Sequence, residues 1–400
     1  MDNLNQKIEV SVVIPCLNEA DTLGNCVTKA MEAIRNSRLL GEVIVVDNGS
    51  TDSSGDIAVE HGGRVVLEEH KGYGYSLFRG FREARGKYIV FADADESYDF
   101  AYVGDFVRLM RNGAELVMGS RMRGSIQKGA MPFLHRYLGT PALTVIARTF
   151  FHVKITDINC GMRGLTKDAF TKLNLTCGGM EFASEMVVKA ARLKLKIAEI
   201  PIDFRKDKRN RKPHLRTFKD GWRHLRFILL FAPKWIFLLN GLVLFVSGFI
   251  FMLLILFGIL KHLGIFAMLI SQSLILLGFQ LLLFGISSYG FPNFLRYNRE
   301  EDGFYRFFKN FTVEKGILWG LFTLALGLPI TILSGIVIYN YLRSTNTIPT
   351  FYFLATKWAF FGVTLVILSF QIIISSFYLS LFHTEMINDT SRAVICQDKK

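Results

Sequence analysis

Residues 9–16 read EVSVVIPC, an apolar, β-branched run of strand length, and residues 43–47 (VIVVD) and 88–92 (YIVFA) repeat its character. The apolarity is continuous rather than alternating, so each reads as a strand covered on both faces. Segments of helix length with amphipathic spacing lie among them, at residues 20–36, 53–61 and 73–84. Strand and helix alternating at this interval predict an α/β fold, a mostly parallel sheet with right-handed crossovers. In such a sheet ligands bind beyond the carboxyl ends of the strands. The polar signals of the first half fall there: Pro15, Asn18 and Glu19, then Asp47 to Asp52, Asp93 and Asp95, and Gly119 to Arg121.

Up to about residue 226 charged and apolar residues are mixed; beyond it come long uncharged runs, near 235–260, 264–288, 316–341 and 358–382. Each reaches the roughly 20 residues that a spanning helix needs. The 400-residue chain is 50% hydrophobic with a formal net charge of +13, which points to a membrane protein with a large soluble part. The basic residues cluster between Arg205 and Arg226, just before the first run, so they read as attraction to anionic lipid and as the positive-inside signal, not as a nucleic-acid surface. Residues 217–231 (TFKDGWRHLRFILLF) alternate basic and apolar faces and read as a helix lying in the membrane interface.

The expected organisation is a cytosolic domain (1–215), the interfacial helix (216–232), a transmembrane domain of four helices (233–385) and a cytosolic tail (386–400). Both termini and the charged loop near 291–315 then lie on the cytosolic side of an inner or plasma membrane of bacterial type. The N-terminus lacks the apolar core of a secretory signal. Five cysteines without a C-x-x-C pair read as reduced, packed thiols.

The first strand is not followed by G-x-G-x-x-G, and no Walker motif is present, which disfavours NAD and P-loop chemistry. The loop 46–52 fits two readings: Asp47 accepting hydrogen bonds from a uracil or ribose edge, or a capped strand-to-helix turn. Residues 71–76 (KGYGYS) offer backbone N–H groups and one cation as a cradle for phosphate. Asp93-Ala94-Asp95 sets two carboxylates at i and i+2 past a strand end, where both can reach one Mg²⁺ or Mn²⁺; the competing reading is a solvated acidic turn. Asp99 reads as the cap of a helix beginning near Phe100.

The ordered set Pro15-x-x-Asn18-Glu19, Val46 to Ser50 with Asp52, Lys71-Gly72-x-Gly74, Asp93-Ala94-Asp95, Gly119 to Arg121 and Asp157 to Arg163 resembles family 2 glycosyltransferases of the Rossmann-like GT-A fold, and more closely their polyprenyl-phosphate hexose synthase branch. The resemblance covers about residues 8–226. It implies that Pro15, Asn18, Glu19, Asp47, Asn48, Lys71 and Asp93 bind a UDP- or GDP-linked sugar, that Asp93 and Asp95 hold Mg²⁺ or Mn²⁺, and that Arg121, Arg136 and Arg209 hold the acceptor phosphate. Asp95, Arg121 and Asp157 are the implied catalytic residues. The chain departs from the pattern at Asn48, Ser97, Cys160 to Arg163 and the tract 208–216 (KRNRKPHLR).

The activity expected is transfer of one hexose to a polyprenyl phosphate on the cytosolic leaflet, with inversion. A lipid phosphate is already anionic near neutral pH, so cations rather than a strong base are required. Asp157 stands for an orienter of a sugar hydroxyl, an orienter of an arginine, or a turn cap. Glu181 and Glu185, at i and i+4, divide between facing the sugar and favouring a helix N-terminus. His214 and His224, in the basic stripe, divide between contacting phosphate and standing as exposed interfacial residues, the commoner case. Two other functions compete: a processive polysaccharide synthase, for which the Q-x-x-R-W signature is not found, and a non-catalytic sugar-nucleotide-binding protein tied to lipid-sugar transport. Self-association into a homo-oligomer stays open.

Overall fold

The structure is a computed structural model and describes residues 8–209, 217–260, 262–289, 312–343 and 349–397. The chain divides into two compact units, Met1–Ala232 and Pro233–Lys400.

The first unit is built on a sheet of β1 (Val10–Cys16), β2 (Gly41–Asp47), β3 (Arg64–Leu67), β4 (Tyr88–Phe91), β5 (Leu116–Ser120), β6 (Arg163–Thr166) and β7 (Ile197–Pro201). Its order is β3-β2-β1-β4-β6-β5-β7. The pairs β1/β2, β2/β3, β1/β4 and β5/β7 are parallel, while β6 runs antiparallel to both its neighbours. Continuous apolarity has a simple cause: successive side chains enter opposite cores. Val10, Val12 and Ile14 of β1 and Val43 and Val45 of β2 pack with α1 (Ala20–Asn36) and α4 (Val103–Arg111). Val13, Ile44 and Val46 face the other way, onto α3 (Tyr73–Glu83), α5 (Thr140–Phe151), α6 (Lys167–Leu173) and α7 (Phe182–Arg192). A short α2 (Ser54–Glu60) connects β2 to β3.

From β1 the chain moves outward through β2 to β3, then returns to lay β4 on the other side of β1. That reversal is a topological switch point, and it opens a crevice past the strand ends. β1 pairs with β2 as far as Cys16 but with β4 only as far as Val13. Pro15, which has no N–H to give a ladder, therefore lies beyond the last β4 pair.

Helix α3 is fixed at both ends by chain that follows much later. The amides of Gly74 and Tyr75 donate to the Gly178 carbonyl at 2.9 and 3.3 Å. Lys167 Nζ donates to the carbonyls of Phe81, Arg82 and Ala84 at 2.7, 3.2 and 2.7 Å. Midway, a Cβ on Gly80 would lie 2.4 Å from Val13 Cγ1 and 2.9 Å from Val46 Cγ2, so the helix packs on the sheet closer than any other residue allows.

Helix α8 (Thr217–Leu230) belongs to the first unit and packs beside α5 and α7. Its Ile228 is fully buried, whereas Trp222 is 60% exposed. His224, expected exposed, is instead buried and shares a 2.8 Å hydrogen bond with Ser184 Oγ; His214 lies outside the described residues.

In the second unit, four of the described helices are long and apolar enough to cross a membrane: Lys234–Leu256, Ile265–Ser288, Val313–Arg343 and Phe351–Ser380. They correspond to α9 (Asn240–Leu256), α10 (Ile265–Tyr289), α11 (Val313–Arg343) and α12 (Pro349–Gln397); α12 continues past its span, so helical backbone runs through most of the expected tail. Small residues set the close pairs: a Cβ on Gly278 of α10 would lie 2.3 Å from Phe245 N of α9. One on Gly327 of α11 would lie 2.7 Å from Leu365 Cβ of α12. Such contacts replace the hydrophobic drive that lipid removes. Of the charged loop near 291–315, residues 291–311 lie outside the described residues.

Candidate active site

The crevice is walled by the loops after β1, β2 and β4. Asn18, at φ 56°, ties the first two together: its Oδ1 accepts from Thr51 N at 2.7 Å, and its own N–H donates to Ser50 Oγ at 2.9 Å. Asp47 Oδ1 accepts from Ser50 N at 2.8 Å, and Asp52 accepts from Ser54 N, so the loop is a braced, capped turn. Asn48 is spent on the neighbouring loop. Its Nδ2 donates to the carbonyls of Glu68 and His70 at 3.0 and 2.8 Å, and its Oδ1 accepts from Gly72 N at 2.7 Å. Those bonds make the side chain a brace between the two loops. In the expected phosphate cradle at residues 71–76, the amides of Gly72, Gly74, Tyr75 and Ser76 all donate within the protein. Lys71 remains exposed, its Cε 3.9 Å from where a Gly49 Cβ would stand.

The acidic turn after β4 divides four ways. Tyr73 O–H donates to Asp93 Oδ1 at 3.0 Å. Asp95 Oδ1 accepts from Ser97 N at 3.0 Å and Ser97 Oγ at 2.5 Å, while its Oδ2 meets Arg209 Nη2 at 2.7 Å. Glu96, at φ 58°, is surrounded by Lys29 (2.6 Å), Lys208 (3.1 Å) and Asn25 (3.1 Å). Asp99 accepts from Ala101 N as the expected cap and pairs with Arg205 at 2.7 Å. Burial alone would raise the pKa of Glu96, but Lys29, Asn25 and Lys208 bring it to about 2. For Asp93, burial and then the charge of Asp95 raise the pKa to about 6.

Arg205, Lys208 and Arg209, read from sequence as part of a lipid-facing stripe, all lie on this acidic turn; residues 210–216 are outside the described residues. Arg209 also reaches Glu19 Oε1 at 3.2 Å. A guanidinium thus bridges Glu19 and Asp95. Among the described residues no three His, Cys, Asp or Glu side chains gather as a metal cage. Two aspartates fit Mg²⁺ or Mn²⁺ nonetheless, since such ions are commonly held by one or two carboxylates with water and substrate phosphate completing the shell.

Arg121 and Asp157 form a buried pair. Nε and Nη2 of the arginine donate to the two carboxylate oxygens at 2.6 and 2.9 Å, and the guanidinium lies 5.1 Å above the Phe204 ring. Asp157 is 0% exposed and holds the arginine in place, which is one of the three readings the sequence left open for it. Nη1 of Arg121 stays outside the pair. Arg163 is spent on the carbonyls of Ile158, Cys160 and Ala183. Glu185 accepts from the amides of Thr176 and Cys177 and pairs with Lys189.

Arg136 lies in a π-helical turn, His135–Gly139, over the Tyr137 ring. The turn is near Arg121: burial and then the charge of Arg121 lower the pKa of His135. Around it Phe133, Leu134, Tyr137, Leu138 and Val145 are exposed, an apolar ridge that sequence reading missed. Residues 117–156 contain six Lys and Arg and no acid. The structure brings together Glu19, Asp93, Asp95, Arg121 and Arg209; Asn48 and Asp157 serve as braces behind them. Cys16, Cys26, Cys160 and Cys177 are free thiols, and burial pushes Cys160 up to about 12. A cavity of about 560 Å³ lies elsewhere, between the outer face of α3 and residues 175–177, with Arg79, Tyr75 and Cys177 in its wall.

Residues 11–173 match the glycosyl transferase family 2 model, and residues 293–383 match the glycosyltransferase family 2 C-terminal transmembrane region. The low-salt glycan biosynthesis hexosyltransferase Agl6 of Haloferax volcanii is 38% identical over 283 residues, 70% of this chain and 68% of that one. A dolichyl-phosphate hexose transferase of the same organism is 30% identical over 199 residues, 49% of this chain and 83% of the relative. A glucosyl-3-phosphoglycerate synthase of Mycobacterium tuberculosis overlays 56% of this chain and 79% of its own at 20% identity and a TM-score of 0.45, too distant to inform the site. A mostly parallel GT-A-like sheet with an open switch point, followed by apolar spans, defines a membrane glycosyltransferase. The chain belongs to glycosyl transferase family 2.

Proposed function

We propose that the protein transfers one hexose from a UDP- or GDP-linked sugar to a polyprenyl phosphate at the cytosolic leaflet of an inner or plasma membrane, with inversion at the anomeric carbon. The observation that carries this reading is the meeting of Asp93 and Asp95 with Arg121 and Arg209 in one crevice, in a chain that also carries apolar spans. The printed name of the dolichyl-phosphate hexose transferase supports the acceptor class.

Asp93 and Asp95 would hold Mg²⁺ or Mn²⁺, which when bound neutralises a diphosphate leaving group. Arg209 must leave Asp95 and Glu19 for that to happen, and its guanidinium is then released to hold phosphate oxygens. Arg121, held in place by Asp157, presents Nη1 to the same acceptor. Because a phosphate monoester is largely dianionic above a pKa near 6, its oxygen attacks without a general base. Pro15, Asn18, Glu19, Asp47 and Lys71 would line the nucleotide side. Arg136, on the basic apolar ridge, would face the headgroup at the lipid surface.

Purified protein in detergent, given short polyprenyl phosphate, Mg²⁺ and a panel of radiolabelled nucleotide sugars, should yield a lipid-linked sugar with one donor. No product across the panel, with membranes of the source organism also supplied as acceptor, overturns the reading. Asp95→Ala is expected to abolish transfer while membrane insertion is unchanged; full turnover by that variant, or by wild type in EDTA, removes the cation from the reaction.

A further inference from the structure

We propose that two hydroxyl groups, those of Tyr73 and Ser97, orient Asp93 and Asp95 so that each aspartate offers the cation a single oxygen, and that this one-oxygen presentation favours Mg²⁺ and Mn²⁺ over Ca²⁺. The proposal rests on the reading of these two aspartates as the cation ligands.

Each carboxylate has one oxygen committed to the protein. Asp93 Oδ1 accepts the Tyr73 phenol at 3.0 Å, and Asp95 Oδ1 accepts both Ser97 Oγ at 2.5 Å and Ser97 N at 3.0 Å. The two hydroxyls are themselves held. Tyr73 opens α3, between Gly72, whose amide is on Asn48, and Gly74, whose amide is on Gly178. The Ser97 carbonyl accepts from Arg205 N at 2.9 Å, and the Asp95 carbonyl accepts from Lys208 N at 3.2 Å. On the far side of Asp93, a Cβ on Gly161 would lie 2.8 Å from Oδ2, so a glycine there keeps the space beside that oxygen open. What is left is Oδ2 of each residue, and Asp95 Oδ2 already carries the Arg209 cation.

Two one-oxygen ligands suit an ion that keeps several waters and takes the rest of its octahedron from a diphosphate. They serve poorly an ion that prefers 6–8 oxygens at about 2.3–2.6 Å and readily takes both oxygens of a carboxylate. Tyr73 and Ser97 touch no substrate in this scheme and act as positioning residues, the role that hydrogen-bond donors to metal ligands commonly have.

The test is Mn²⁺ binding by electron paramagnetic resonance on the full chain in detergent, with Mg²⁺ and Ca²⁺ as competitors, and with UDP or GDP added in separate arms. Wild type should release Mn²⁺ to Mg²⁺ at lower concentration than to Ca²⁺. Tyr73→Phe and Ser97→Ala should weaken Mn²⁺ binding by roughly tenfold and shift the competition several-fold toward Ca²⁺, with the thermal midpoint kept. Should Ser97→Ala fail to fold, Tyr73→Phe, which keeps the ring, decides alone. Unchanged Mn²⁺ affinity, or an equal loss for all three ions, overturns the proposal. Failure of the underlying reading gives a different result: wild type binds no Mn²⁺ in any arm, or Asp95→Ala binds it as well as wild type does.

Discussion

Asp157 has no exposed surface and spends both oxygens on Arg121, which itself is only 8% exposed. Removing one partner of a buried ion pair leaves the other charge without compensation, so Asp157→Asn should destabilise the soluble unit by about 3–5 kcal/mol. Thermal unfolding of the detergent-solubilised protein measures this. Glu42 offers a test by pH at the opposite end of the sheet. Burial alone would raise its pKa, but Arg85 N, Ser11 and Arg64 donate to its carboxylate and lower it below the ordinary glutamate range. A depressed pKa gives stability that is present above the unfolded value, about 4.3, and is lost as pH falls through the folded one. Glu42→Gln should therefore flatten the acid limb of the stability curve and leave a smaller pH dependence below about 4.3. At this scale the polar residues past the strand ends, which form the candidate site, could be picked out from the sequence, but their partners could not. Asn48 uses the same amide to read a base or to brace a loop. Tyr73 meets a carboxylate twenty residues further on, and nothing in KGYGYS announces it.

Among the elements, α3 shows how little slack the packing has. Gly80 allows its backbone onto Val13 and Val46, and a side chain there must push the helix off the sheet. Gly80→Val should cost about 1–3 kcal/mol by overpacking, read as a lowered unfolding midpoint. The first strands and helices were legible because β1, β2 and β4 are apolar on both faces and their helices keep a clear period. β6 was not: RGLT has one large apolar residue and runs antiparallel, so neither signal that identified the others applies. The ridge from Phe133 to Val145 was missed for a related reason. Apolar residues in a soluble segment read as core, yet in α5 only Thr140, Leu143, Thr144 and Ala147 are buried.

For the whole molecule, the sheet order decides which pieces can stand alone. β4 lies beside β6, and β5 beside β7, so strands from the first and second halves of the soluble unit are interleaved. A fragment of residues 1–232 in detergent should resist limited proteolysis, whereas one ending at residue 160 should be digested throughout. Survival of the shorter fragment would show that the first half is a domain in itself. The ends of α3 give this an order in time. Lys167 reaches back 86 residues to the Phe81 carbonyl, and Gly178 closes the other end. On the ribosome, α3 must wait as an unclosed helix until both have emerged. Both precede the first span at Lys234, so the sheet can be completed before membrane insertion claims the chain.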